Sequence, residues 1–213
     1  RRLTALGVEP AGDSGYFHRV PMRRSTLKAD SIVVTTPNGK RDWRLGQDFL
    51  MLTALGPGAP LPKLSVDADV VFASYGIVDA AMGRDDYKGL DVKGKVVVIA
   101  GAVPAGVDSA KRKAMQSPDA LFSRLGGAIG RGPAAIVLLV PDSIFQLAAG
   151  QFSGSPVELA RGAAPDGAAR PLPMVAVARL AAGSPLVPAA WPSSEQSMAL
   201  AGTRLVASVK QKS

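Results

Sequence analysis

With 213 residues, 47% hydrophobic and 20% charged, the chain has the apolar content of one globular domain, or one and a half, with a real core, which excludes a disordered polymer. The formal net charge of +8 comes from scattered basic residues, densest at Arg23-Arg24, at Lys93 with Lys95 and at Lys111-Arg112-Lys113. Only 5% of residues are aromatic, so the stacking platforms of a single-strand nucleic-acid binder are scarce. Cysteine is absent, which excludes disulfides, and the longest clean apolar run, AAIVLLV at 134–140, is too short to span a bilayer.

The 17 prolines and 23 glycines are spread along the chain and punctuate many short elements. RRLTALG ends a helix, with Gly7 in the position that stops it. GYFHRVPM (15–22) alternates as a strand, with Pro21 at its end or edge. DSIVVTTPNGKRDWRL (30–45) spells a hairpin, because Asn38-Gly39 takes the positive φ angles of a primed turn. QDFLMLTALGPGAPLP is turn-rich and apolar and is expected as a loop over the core.

DADVVFASYGI (67–77) is a strand with Val71, Ala73 and Tyr75 on one face and Val70, Phe72 and Ser74 on the other. The polar GRDDYKGLDVKG follows, and then KVVVIAG (95–101), whose lack of alternation predicts burial on both faces. SPDALFSRLGGAIGRG (117–132) carries helix signals: Ser117 as N-cap, Pro118 at the first helical position, Asp119 near the positive end of the dipole. PAAIVLLV (133–140) and PMVAV (173–177) are further buried strands. A helix begins near 141, and TRLVASVKQ (203–211) alternates as a half-exposed last strand. Residues 150–172 have no period, as in a functional or mobile loop.

The stretch GKVVVIAGAVPAG (94–106) invites comparison with the first strand and turn of short-chain dehydrogenases. A dinucleotide turn needs glycines spaced to bring backbone against a pyrophosphate at a helix N-terminus. Here the next glycine after Gly101 is Gly106, Pro104 lies between, and no helix start is signalled where phosphates would lie. Four residues after Tyr16, Tyr75 and Tyr87 stand Val20, Asp79 and Asp91, so the tyrosine-lysine pair of such enzymes is also missing. His18 is the single histidine and no cysteine supports it, which leaves too few ligands for zinc and only one possible base for a serine triad. Asp85-Asp86 lacks the spaced oxygens of a calcium loop and reads as turn residues capping backbone; Asp67 and Asp69 read the same way.

Taken in order, the segments carry a more specific likeness. ALGVEPAGDSGYFHRVPM resembles the N-terminal helix end and first strand of secreted zinc aminopeptidases of the bacterial leucyl aminopeptidase and glutamate carboxypeptidase type. LGQDFLML resembles the passage into their inserted domain. DADVVFASYGI, DDYKGLDVKGKVVVIAGAVP, GPAAIVLLVPD and LPMVAV then follow as in a protease-associated domain. Ser74 departs from the family, which often has glycine there, and so does the long 141–172 region.

The resemblance implies a mixed α/β, β-rich fold: an open β-barrel of two sheets with a few flanking helices, centred on strands 95–101, 134–140 and 173–177. It divides the chain into a flanking N-terminal piece (1–30), a protease-associated domain (31–202) and a return strand (203–213), with the two flanks close together. It implies a non-catalytic module of a zinc-dependent exopeptidase that shapes substrate access or binds partners, secreted or periplasmic. Its partners would be peptide or protein substrates and its own catalytic domain, with no nucleic acid and no membrane span. No cofactor is expected in this chain; zinc is expected in the catalytic domain, whose ligands match no position here. No catalytic residue is assigned. The loop 141–172 is the candidate contact region, with Phe145 and Phe152 as aromatic anchors, and Trp191 is a further candidate. Two alternatives stay open: a nucleotide-binding α/β enzyme with an atypical glycine turn, and a basic nucleic-acid-binding module.

Overall fold

A computed structural model describes residues 6–9, 12–17, 19, 22–24, 26–52, 65–152, 157–159 and 172–212. The strands are β1 (Met22–Arg24), β2 (Thr26–Thr36), β3 (Gly39–Trp43), β4 (Phe49–Met51), β5 (Ser65–Phe72), β6 (Val78–Asp79), β7 (Arg84–Asp85), β8 (Val96–Ala100), β9 (Ala135–Val140), β10 (Val157–Leu159), β11 (Met174–Arg179) and β12 (Met198–Lys212). The helices are α1 (Ser109–Met115), α2 (Pro118–Ile129) and α3 (Asp142–Phe152), with short 3-10 turns at Ala80–Met82 and Ser184–Leu186. The fold is mixed α/β and β-rich, as the sequence indicates. Eight strands form one sheet in the order β3-β2-β12-β5-β8-β9-β11-β4, and β1-β10 and β6-β7 are two-stranded ribbons.

The centre of the sheet is parallel. β5, β8, β9 and β11 run side by side in chain order. Their connections pass through the β6-β7 ribbon, through α1 and α2, and through α3. All five residues of β8 are completely buried, which is why its sequence shows no polar alternation. One face packs Val71, Val97, Ile99, Ile136 and Val175 against Leu125 and Ala128 of α2 and Phe145 of α3. The other face gathers Val70, Phe72, Val98, Val137 and Ala176 with Ile32, Val34, Trp43, Leu205 and Met51 from the outer strands.

That second cluster exists because the sheet curls. β3 and β4 are its two edges, and only residues 44–48 separate them along the chain. From Trp43 to Phe49 the backbone reaches at most about 20 Å. Eight strands laid flat would put those edges about 34 Å apart. The edges therefore fold toward each other, and the Trp43 and Phe49 ring centroids come within 6.4 Å.

Local signals explain most elements. The hairpin turn falls at 37–38, with Thr36 opposite Gly39 in register and Gly39 at φ +130°. Ser117 Oγ accepts from the Ala120 amide at 3.2 Å and Pro118 opens α2. Residues 49–51, expected as loop, form β4 instead: all three are buried, and they pair antiparallel with β11. Three residues are too few to show a period. Around residue 15, described residues form tight bridges (Gly12 with Gly15, Ser14 with Phe17), and the strand starts only at Met22; His18 and Pro21 lie outside the described residues. Helix α1 is not among the elements expected from the sequence; Asp108 caps it by accepting from the Lys111 amide at 2.9 Å. The helix proposed for 1–6 and most of 150–172 also lie outside the described residues, apart from the end of α3, β10 and residue 172.

The expected divisions at 30/31 and 202/203 fall inside β2 and β12, which pair from Arg204 opposite Thr35 to Lys212 opposite Thr26. The two ends of the described sheet thus meet.

Helix α3 is held by Phe145, which has no exposed surface and lies under the Arg179 guanidinium, 4.3 Å from the ring centroid. Phe145→Ala is expected to cost about 3–5 kcal/mol, the usual range for emptying a buried phenylalanine site. Urea unfolding of the variant, with its midpoint lowered at constant slope, checks this.

Candidate functional site

The chemically richest region lies at the C-terminal end of β5. The strand leaves the sheet through a sharp reversal: Ser74 has φ +45° and Gly76 φ +66°, and the Gly76 amide donates to the Ala73 carbonyl at 2.7 Å. Ser74 remains tied to β8, its carbonyl accepting from the Ala100 amide at 2.7 Å. The left-handed residue breaks the two-residue alternation. Tyr75, assigned by periodicity to the face of Val71 and Ala73, instead joins the cluster of Val70 and Phe72. Glycine adopts such a backbone angle without the strain a serine side chain incurs there.

After Gly76 the chain turns at Asp79, whose carboxylate accepts from the Ala81 and Met82 amides, and returns along β7. This brings Arg84 and Asp86 back against the reversal. Asp86 Oδ2 accepts from the Tyr75 and Ile77 amides at 3.1 and 2.9 Å, and Oδ1 accepts from Arg84 Nε at 2.7 Å. The Arg84 guanidinium lies 4.9 Å from the Tyr75 ring centroid, and Nη2 donates to Ser74 Oγ at 3.1 Å. Its remaining arm, Nη1, donates to Glu195 Oε2 at 2.5 Å. Glu195 Oε1 accepts from the Tyr75 hydroxyl and the Ala105 amide, both at 3.1 Å.

One carboxylate thus ties four segments that are far apart in sequence: the β5 reversal, β7, the loop after β8 and the turn before β12. Burial opposes the charge on Glu195, but hydrogen bonds from Arg84, Ala105 and Tyr75 outweigh it and hold the carboxyl below its ordinary pKa. Burial pushes the Asp86 carboxyl up against the lowering effect of its donors. Burial, with the negative Glu195 beside it, pushes the Tyr75 hydroxyl up to about 12, so Tyr75 stays a donor. Below the cluster, buried Arg124 of α2 donates to the carbonyls of Ala102 and Met115, both at 2.9 Å, fixing the loop after β8 to the helix layer.

Trp191 lies at this same site, half-buried, with its ring 6.1 Å from Phe72 edge-on and 5.8 Å from Tyr75. Its indole Nε1 is buried with no hydrogen-bond partner among the described residues. Phe145 lies elsewhere, inside the α3 face, and as placed presents no surface to a partner. The Phe152 side chain lies outside the described residues. The sequence did not single out Tyr75, Arg84, Asp86, Arg124 or Glu195 as a group. Its reading of Asp85 and Asp86 as backbone caps is correct, since Asp85 also accepts from the Tyr87 amide at 3.0 Å. The DDY segment was the only local signal; Glu195 is 120 positions from Tyr75 and nothing in its neighbourhood marks it.

Two chemistries fit poorly. The helix that follows β8 begins only at Ser109, and Asp108 already fills its N-terminus with a carboxylate, which repels a phosphate there. Among the described residues no group of three or more His, Cys, Asp or Glu side chains is placed to hold a metal ion. None of the described helices is long and apolar enough to cross a membrane.

No protein-family model matches the chain, and no curated protein matches it in sequence. Among solved structures it is similar to an aminopeptidase from Aneurinibacillus sp. strain AM-1 (15% identity, TM-score 0.40, covering 91% of this chain and 35% of that one). It is also similar to a peptidase M28 precursor from Shewanella amazonensis SB2B (11%, 0.38, covering 99% and 40%). A third is a zinc aminopeptidase from Bacillus subtilis (16%, 0.39, covering 91% and 33%). The chain spans between a third and two-fifths of the length of these proteins.

Two outcomes test the site. A Cβ at Gly76 would lie 2.9 Å from Ile99 Cγ2 and 3.1 Å from the Tyr87 hydroxyl, at a left-handed φ. Gly76→Ala is expected to destabilise by about 2–3 kcal/mol, measured by denaturant unfolding. Glu195 has a folded pKa below its unfolded value, so its contribution is present above the unfolded pKa and is lost as pH falls through the folded one. The stability gap between wild type and Glu195→Gln is therefore expected to be full at neutral pH and to shrink as the pH is lowered from about 4.5. Thermal unfolding of both proteins across acid pH checks the sign.

Proposed function

We propose that the chain is a non-catalytic protease-associated domain of a zinc-dependent exopeptidase, and that it shapes substrate access or binds partners beside the metal centre. The ordered sequence segments that resemble such a domain support this reading. They fold as β5, β8, β9 and β11, side by side through the middle of a single sheet, with the β6-β7 ribbon outside it between β5 and β8. The observation that carries the reading is the state of the ionisable cluster. Both Asp86 and Glu195 have each oxygen engaged by donors, and Arg84 is shared between them. These groups join the β5 reversal, β7, the loop after β8 and the turn before β12, as a shape-setting network does.

In this reading residues 31–202 are the domain proper, and the paired ends of β2 and β12 lead toward a catalytic domain outside this chain. Zinc, in this reading, belongs to that domain. Peptides are the substrates, the setting is periplasmic or extracellular, and Phe152 and Trp191 are candidate contacts.

Zinc calorimetry on the purified chain, together with hydrolysis of aminoacyl nitroanilides in added zinc, is the test. The expected result is no stoichiometric submicromolar zinc binding and no turnover above buffer. Either one in homogeneous material would overturn the proposal.

A further inference from the structure

Three groups around Arg84 are set by segments that owe nothing to Glu195. Asp86 holds Nε, Ser74 holds Nη2, the Tyr75 ring lies against the guanidinium, and Asp86 is itself fixed by two backbone amides. Ser74, Tyr75 and Asp86 are buried, at 0%, 2% and 6% exposure. Nη1 is thereby aimed outward, beside the Tyr75 hydroxyl and the Ala105 amide. These three donors meet the two oxygens of one carboxylate: Nη1 on Oε2, the hydroxyl and amide on Oε1.

The occupant is held differently. Glu195 extends from a turn outside any helix or strand, where Pro192, Ser193, Ser194 and Gln196 are all exposed, and its own side chain is 26% exposed. Its receptor combines the buried Tyr75, the part-buried Arg84 and the exposed loop amide of Ala105, and its carrier is a surface turn. An intramolecular occupant gains only the effective concentration its tether supplies, so a tethered carboxylate on an exposed turn, itself closed by the Ser194 amide on the Ala190 carbonyl at 2.7 Å, is open to competition.

We infer that Arg84, the Tyr75 hydroxyl and the Ala105 amide form a carboxylate-binding site, of which Glu195 is the resident and exchangeable occupant, and that the site takes the carboxylate of a peptide when the 192–196 turn withdraws. The donor pattern favours this ligand class: Nη1 meets one oxygen while the Tyr75 hydroxyl and the Ala105 amide meet the other, the two oxygens of one carboxylate. The inference concerns carboxylate recognition and does not depend on the chain belonging to a peptidase.

The test is thermal unfolding of the whole chain carrying Glu195→Ala, with sodium formate titrated against sodium chloride at constant ionic strength. Formate is expected to raise Tm saturably, by about 4 °C when it reaches ten times its dissociation constant. Wild type, its site filled, is expected not to respond. Adding Tyr75→Phe to Glu195→Ala should raise the formate requirement several-fold. Two peptides then separate the sources of carboxylate: acetyl-Ala-Ala-Ala with a free C-terminus, and acetyl-Ala-Glu-Ala amide. A Tm rise with the first assigns a chain terminus, and with the second an acidic side chain. A flat Tm in formate, or one equally raised with Tyr75→Phe present, overturns the inference. Should Glu195→Ala fail to fold in chloride, formate-dependent recovery of the folded circular-dichroism signal replaces the Tm shift, and its absence overturns the inference equally.

Discussion

Five residues, 44–48, join opposite edges of an eight-stranded sheet, and the rest of the architecture follows from that short tether. Because the backbone cannot cross a flat sheet in so few steps, the sheet curls and its inner face closes on itself. Trp43 meets Phe49, and residues from β2, β3 and β12 fill the hollow over Val70, Val98 and Val137. The outer face has no such partner and is covered by α2 and α3. The two apolar clusters are the two solutions to one problem, a central strand with no polar side.

The curled sheet ends where β5 stops, and charge takes over from apolar packing there. Ser74 reverses the chain at a cost in backbone strain. What offsets it is mostly hydrogen bonding, since Asp86 receives the two amides that the reversal leaves without sheet partners. A buried carboxylate is costly alone, and Arg84 neutralises it; the guanidinium in turn keeps one arm for Glu195. Breaking any member leaves another exposed to low dielectric without its partner. The network therefore specifies loop geometry more than it adds net stability.

Much of the sheet was legible in the residues, for local reasons. A strand buried on both faces shows as an unbroken run, as in β8 and β9, and Asn38-Gly39 and Ser117-Pro118 announce a turn and a helix start through their own backbone preferences. What was missed lacked local chemistry. β4 is three apolar residues, α1 has only Asp108 as a signal, and Tyr75 changes face because a single φ angle breaks the period. Phe145 was chosen for its aromatic type, which cannot distinguish a buried wedge from a surface anchor.

By itself, the sequence determined the class of fold, its three buried central strands, the hairpin about Asn38-Gly39 (its turn one residue earlier than expected), the capped helix at 118–129, and the scarcity of metal-ligating residues, since each depends on composition or on neighbours a few positions apart. Only the tertiary structure decided that β3 and β4 would face each other and that Glu195 would lie against Tyr75, Arg84 and Ala105. The Glu195 contacts join positions 90 to 120 residues apart. They arise from the curl of the sheet and the reversal at Ser74, which set distances in space that no spacing along the chain records.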